Sequence, residues 1–124
     1  TARLARAPVR TPAMADSTID LAVFQELQAT AGAEFVVELL DAFYGEAPQM
    51  LAELRAALAA GSAERFRRAA HSMKTNALTF GATTLGAMAR ELELGGLPAD
   101  AGVVDKLQAA YDAAARRLKE LAGG

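Results

Sequence analysis

Apolar residues recur at spacings of three and four along most of this chain, and no segment shows the alternation with a period of two that a half-buried strand requires. A run of this kind places its apolar side chains on one stripe of a helix, and that stripe has to be buried against a neighbour. The sequence therefore predicts an all-α fold, an up-down four-helix bundle with an additional short N-terminal helix. The longest stripe, over residues 33–60, consists of Val36, Leu40, Phe43, Ala47, Met50, Leu51, Leu54 and Leu58.

Capping and breaking residues divide this pattern into helices. Asp20 is suited to cap the short first helix, and Gly32 to end it. Gly61 and Ser62 separate the long second helix from the third in the same way. Pro48 lies inside the second helix and lacks an N–H group, so we expect a kink or a break at residues 45–48.

The second half of the chain has its own turn signals. Gly81 is expected to end the third helix and Thr83 to start the fourth, which runs up to the turn residues Gly95, Gly96 and Pro98. A final helix is predicted over residues 100–121, with an apolar seam suited to a bundle. That seam consists of Val104, Leu107, Tyr111, Ala114, Leu118 and Leu121.

Residues 1–18 contain three arginines and two prolines without a sustained period, so we interpret them as a linker or flexible lead. Residues 19–122 are then a single helical domain. Met14 is a possible natural start, and the sequence leaves open whether the domain stands alone or is the C-terminal module of a longer protein.

Composition excludes several kinds of site. The chain has no cysteine, which rules out disulfides and thiolate zinc sites, and its single histidine argues against a metal or haem site; we expect no metal and no cofactor. The formal net charge of −2 gives no global attraction to nucleic acid. No apolar run approaches the roughly 20 residues of a membrane helix, so we expect no membrane insertion. The absence of cysteine is compatible with the cytoplasmic location that we expect, and we also expect a monomer.

The one histidine, His71, lies in the middle of the predicted third helix. At about 100° per residue it points roughly 140° away from the apolar stripe of that helix, so it should face outward. Arg67, Arg68 and Lys74 are three or four positions away and should place cationic groups beside the imidazole. A neutral imidazole is a nucleophile near neutral pH, and a phosphoryl group on it would carry negative charge that Lys74 could meet. The plainer interpretation is a solvated polar face.

These residues resemble a known family. The motif His71-x-x-Lys74, Gly81 ten positions after the histidine, and the later Leu85 and Leu92-Glu93 are similar to the histidine-containing phosphotransfer (Hpt) domain of bacterial multistep phosphorelays. The likeness covers about residues 19–121.

The resemblance implies a phosphoryl carrier rather than an enzyme. His71 would accept a phosphoryl group from the aspartate of a receiver domain, in a response regulator or hybrid histidine kinase, and pass it to another receiver. Lys74 would contact the phosphate, while the receiver would supply Mg²⁺ and most of the catalysis.

Arg67, Thr75, Gly81 and Glu93 are supporting candidates. Glu93 stands where many members have glutamine, and its carboxylate could hold one ring N–H while repelling a phosphoryl group. Thr75 stands where the family usually has glycine or serine, which could change how closely a partner docks.

Leu78 shares the predicted face of His71, where an exposed leucine has no packing role. Receiver domains dock through an apolar patch, so we expect Leu78 and Arg68 to belong to the docking surface. A singly exposed leucine is also common on proteins and needs no explanation.

Two other interpretations remain. The chain could bind or scaffold a receiver without being phosphorylated, or it could be the phosphorylatable domain of a chemotaxis-type kinase, with an ATP-binding domain as donor. The arginines at positions 65, 67 and 68 lack the interleaved surface aromatics of a nucleic-acid site, so we expect no nucleic-acid partner.

Overall fold

The computed structural model describes residues 18–123, which form five α-helices and contain no β-strand. The all-α prediction is confirmed, and the predicted lead lies outside the described residues except for its last position. The helices are α1 (Leu21–Ala31), α2 (Ala33–Ala60), α3 (Ala63–Thr79), α4 (Thr83–Leu94) and α5 (Gly102–Gly123).

The helix ends follow from the capping residues in the sequence. The Asp20 carboxylate accepts hydrogen bonds from the first backbone N–H groups of α1, at 3.1 and 3.3 Å. Gly32 and Gly61 have positive φ angles of 96° and 70°, which glycine adopts without a steric cost. The Ser62 hydroxyl then accepts a hydrogen bond from the N–H of Arg65 at 3.3 Å and caps α3.

A kink or a break was expected at residues 45–48, and the break does not occur, because α2 continues without interruption through these residues. A proline in a helix removes a single N–H donor, and here Phe43, Ala47 and Leu51 are fully buried on both sides of it. The burial of this stripe keeps the two halves of α2 in one helix.

Packing of the helices forms a closed bundle around one core. Helix α3 lies between α2 and α4, α5 packs on both α2 and α4, and α1 packs on α2 and α3. Phe43 joins three helices: its ring stacks on Phe80 just after α3 and meets Tyr111 of α5 edge-on, each at a centroid distance of 5.5 Å. Among the residues described, the fully buried large side chains are Phe24, Val36, Leu40, Phe43, Leu54, Phe66, Met73, Leu85, Val104, Leu107 and Leu118.

The turn between α3 and α4 is fixed by Gly81. This residue has a φ of 80°, its carbonyl accepts a hydrogen bond from the N–H of Asp20 at 2.6 Å, and a Cβ atom there would lie only 2.7 Å from the Asp20 carbonyl oxygen. The turn is therefore tied to the start of α1. Since the two helices run antiparallel from it, a residue about ten positions before the turn lies opposite a residue about ten positions after it.

Candidate functional site

His71 lies on the outer face of α3, with 54% of its side chain exposed. The opposite face of the same helix is buried in the core through Phe66, Ala70, Met73 and Ala77. The prediction that the histidine faces outward is confirmed. Its ring is open to a partner molecule, whereas its helix is held rigidly from behind.

The imidazole is held by a carboxylate from the neighbouring helix. Nδ1 of His71 lies 2.7 Å from Oε2 of Glu93, near the end of α4. Glu93 is twelve residues beyond Gly81 and His71 ten before it, so the tight turn brings the two residues to the same level. Only 11% of the Glu93 side chain is exposed, so the imidazole covers a partly desolvated carboxylate.

The second oxygen of this carboxylate contacts a lysine. Nζ of Lys74 lies 2.8 Å from Oε1 of Glu93, and 22% of the lysine side chain is exposed. Oε1 is buried, and this short contact is a charge-assisted ion pair. Glu93 thus bridges the two residues of the His71-x-x-Lys74 motif.

The ionisation of Glu93 determines where the histidine carries its proton. Contact with Lys74 first, and with His71 second, holds the pKa of the Glu93 carboxyl below its usual value. An ionised carboxylate can only accept hydrogen bonds, so a neutral imidazole paired with it has its proton on Nδ1. The lone pair of the ring is then on Nε2, where it can act as a nucleophile.

The two arginines expected beside the imidazole form ion pairs with Glu64 of their own helix. Nη2 of Arg67 lies 2.7 Å from Oε2 of Glu64, and Nε of Arg68 lies 4.0 Å from the same oxygen. Glu64 precedes them by three and four residues, which places it on the same helix face. The hydrogen bond to Glu64 is the largest cause of the raised pKa of Arg67, and the charge of Glu93 also raises it.

Thr75 directs its hydroxyl back to its own helix, where Oγ1 donates to the carbonyl of His71 at 3.0 Å. The residue itself is exposed beside the histidine. Its hydroxyl is therefore committed to the backbone, and what it changes for a partner is bulk at the surface rather than a new donor.

Leu78 has a packing role that the sequence interpretation denied it. Its side chain is 47% exposed, but it also lies over Gly86 of α4, where an added Cβ would come within 2.6 Å of its Cδ2. Half of the side chain therefore closes the gap between α3 and α4, and the other half remains available to a partner. Arg68 is more open still, with 66% of its side chain exposed.

Gly81 does not contact the histidine. Its supporting role is to set the turn that aligns α3 with α4, so it acts on the site through the backbone.

Neither a metal site nor a membrane span is found in the part of the chain that the structure describes. Within residues 18–123, no group of three or more His, Cys, Asp or Glu side chains is arranged to hold a metal ion. None of the helices in this range combines the length and the apolar character that crossing a bilayer demands.

The sequence interpretation missed the link between Lys74 and Glu93, and with it the sharing of one carboxylate by two residues of the motif. A usable signal was present: His71 and Glu93 are nearly equidistant from Gly81, and an antiparallel hairpin brings such residues together. The spacing does not say which oxygen meets which partner, because that depends on side-chain rotamers.

Comparison with known proteins agrees with this geometry. The family model described as "Hpt domain" matches residues 38–117, a range that includes the whole of α3 and α4. No curated protein and no solved structure matches the chain. The match thus contains His71, Lys74 and Glu93 together with the turn that aligns them.

Proposed function

The chain belongs to the Hpt domain family, which implies histidine phosphotransfer in a phosphorelay, and we propose that His71 is the residue that carries the phosphoryl group. In this proposal the donor is the aspartyl phosphate of a receiver domain, and the acceptor is the aspartate of a second receiver, in a response regulator or a hybrid histidine kinase. Hpt domains interact with receiver domains and are phosphoryl carriers, generally not enzymes themselves.

The observation that carries this proposal is the contact between Nδ1 of His71 and Glu93 at 2.7 Å on an exposed ring. With the proton held on Nδ1, the lone pair of Nε2 attacks the phosphorus atom of the aspartyl phosphate. The N–P bond forms as the bond from phosphorus to the aspartate oxygen breaks, and the carboxylate leaves with the electron pair. The ring keeps its Nδ1 proton, becomes a cation, and has Glu93 as a counter-ion.

Lys74 is proposed to contact the phosphoryl oxygens. It is three residues from His71 on the same helix, and its ammonium already lies at the site, next to Glu93. A lysine at that distance offers three donors on a flexible stem and can follow the phosphoryl group as it moves onto the ring. Charge neutralisation of this kind is what phosphoryl transfer requires from its surroundings.

The remaining requirements are assigned to the partner. We propose that the receiver supplies Mg²⁺ and the acidic residues that bind it. The docking surface would consist of Thr75, the exposed half of Leu78, and Arg68, around His71. The domain would act as a cytoplasmic monomer in a bacterial relay.

The experiment mixes the domain with a receiver that has been phosphorylated by acetyl phosphate in the presence of Mg²⁺, and follows intact mass and the stability of the label. Wild type should gain one phosphoryl group whose linkage is acid-labile and base-stable, whereas His71→Gln should gain none and keep its helical circular dichroism. A folded wild type that takes no label from a panel of receivers, yet still binds one, would replace the carrier function with receiver binding alone. If the domain took a phosphoryl group from the ATP-binding domain of a kinase but from no receiver, the result would indicate the chemotaxis-type arrangement.

A further inference from the structure

Lys74 has two possible partners at this site and a single ammonium group. In the present structure its Nζ is 2.8 Å from Oε1 of Glu93. After transfer, the phosphoryl group on Nε2 of His71 presents a second and more highly charged anion to the same lysine. One ammonium group then lies between two anions, so its contact with the phosphoryl group weakens its contact with Glu93.

The two oxygens of Glu93 have different partners. Oε2 lies 2.7 Å from Nδ1 of His71, and Oε1 lies 2.8 Å from Nζ of Lys74. Because the two contacts use different oxygens, the lysine can leave while the carboxylate stays in place against the ring. Only 22% of the Lys74 side chain and 11% of the Glu93 side chain are exposed, so solvent screens little of the attraction that is lost when the lysine leaves.

We propose that Glu93 is a positioning residue that competes with the phosphoryl group for Lys74, and that this competition keeps the domain from storing the phosphoryl group. The inference rests on the proposed function, since it concerns the phosphorylated state of His71. It gives a physical reason for a carboxylate at this position: the domain releases the phosphoryl group more readily than it would with a neutral amide there.

Glu93 has two effects of opposite sign, and they can be ranked. Its contact with Nδ1 persists after transfer and becomes stronger, because the ring keeps that proton and becomes a cation as the N–P bond forms and the P–O bond breaks; this effect favours the phosphorylated domain. Its contact with Lys74 exists fully only before transfer. The phosphoryl group also brings negative charge towards the carboxylate. We infer that the loss of the Lys74 contact and the repulsion of the phosphoryl group together outweigh the stronger Nδ1 contact, so that Glu93 favours the unphosphorylated domain.

The test measures the equilibrium constant for phosphoryl exchange between the domain and a receiver that labels it, in the presence of Mg²⁺. Acetyl phosphate is the primary phosphoryl source and is removed before equilibration. The equilibrium is approached from both sides so that rate effects cancel. Glu93→Gln keeps an acceptor for Nδ1 but removes the attraction for Lys74, and it should shift the equilibrium about three- to tenfold towards the phosphorylated domain. Glu91→Gln is the matched control, since it removes the same charge from the same helix and should leave the constant unchanged.

The decisive comparison is a double-mutant cycle with Lys74→Ala. Lys74→Ala alone should shift the equilibrium towards the receiver, and in that background Glu93→Gln should have less than half of its effect in wild type. An effect of Glu93→Gln that is equally large without Lys74, or a shift towards the receiver in the single variant, would overturn the competition and leave Glu93 acting on the ring alone. A wild type that takes no label at all would instead remove the proposed function itself.

Discussion

Two ion pairs of the same length connect neighbouring helices of this bundle, but water reaches them very differently. The inner pair, Lys74 with Glu93, joins α3 to α4 at 2.8 Å with 22% and 11% of the side chains exposed. The outer pair, Arg55 with Asp105, joins α2 to α5 at 2.8 Å with 40% and 69% exposed. A distance alone would rank them equally.

The difference in exposure shows which of the two ion pairs can influence a neighbouring group. The outer pair is exposed to solvent, where the attraction between the two groups is screened, so it contributes little to stability. The inner pair is shielded and has a third member, His71, at 2.7 Å from the same carboxylate. Its carboxylate therefore determines which ring nitrogen of His71 faces an acceptor, whereas the outer pair joins only an arginine and an aspartate.

The largest expected effect comes from the turn that aligns the inner pair. Gly81→Ala places a Cβ atom 2.7 Å from the Asp20 carbonyl oxygen at a φ of 80°. We expect the free energy of unfolding to fall by about 1 to 3 kcal/mol, measured by urea denaturation. Gly45→Ala on α2 is the control, since its Cβ meets nothing within 4 Å and should not destabilise the domain. Equal stabilities for the two variants would contradict the role of the turn.

The next effect concerns rate. Lys74→Ala should slow phosphoryl transfer from a receiver about tenfold, because a charge-assisted contact to the phosphoryl group is lost in a shielded site. Lys119→Ala is the matched control: its Nζ lies 4.9 Å from the ring centroid of Tyr44, in contact with another part of the bundle. Quenched-flow labelling measures both. If the two variants transferred equally fast, the inner lysine would have no role in the step.

Much of the candidate site could be predicted from the sequence. The features that could not be predicted have a common cause. Helical periodicity placed His71 outward and Lys74 beside it, since both follow from position along a single helix. The ion pairs of Arg67 and Arg68 with Glu64, on the same face, were not part of the prediction.

Contacts between helices were the harder part. The packing of Leu78 over Gly86 and the shared carboxylate of Glu93 each depend on how two helices meet, which a one-helix pattern does not contain. The absence of a break at Pro48 was missed for the same reason, because burial against neighbouring helices outweighs a single lost hydrogen bond.

Acid offers a way to separate the inner pair from the other carboxylates. The pKa of Glu93 is lowered in the folded protein, mainly by Lys74 and then by His71. Its contribution to stability is therefore complete above the usual value of 4.5 and is lost as the pH falls through the lower folded value. The difference in Tm between wild type and Glu93→Gln should be largest near neutral pH and shrink in acid. Glu53 and Glu64 also have lowered pKa values, but they contribute to both proteins alike. A difference independent of pH would contradict this assignment.

The smallest effect is expected at the outer pair. Arg55→Ala removes an ion pair of the same length as the inner one, yet both partners are exposed, so the free energy of unfolding should change by only about 0 to 1 kcal/mol. Phosphoryl transfer should be unchanged, because no nucleophile contacts either residue. Raising the salt concentration should abolish even the small stability effect, whereas the effect of Lys74→Ala on transfer should persist. If Arg55→Ala slowed transfer as much as Lys74→Ala, burial would not be what distinguishes the two pairs, and the site would have to extend across the whole bundle.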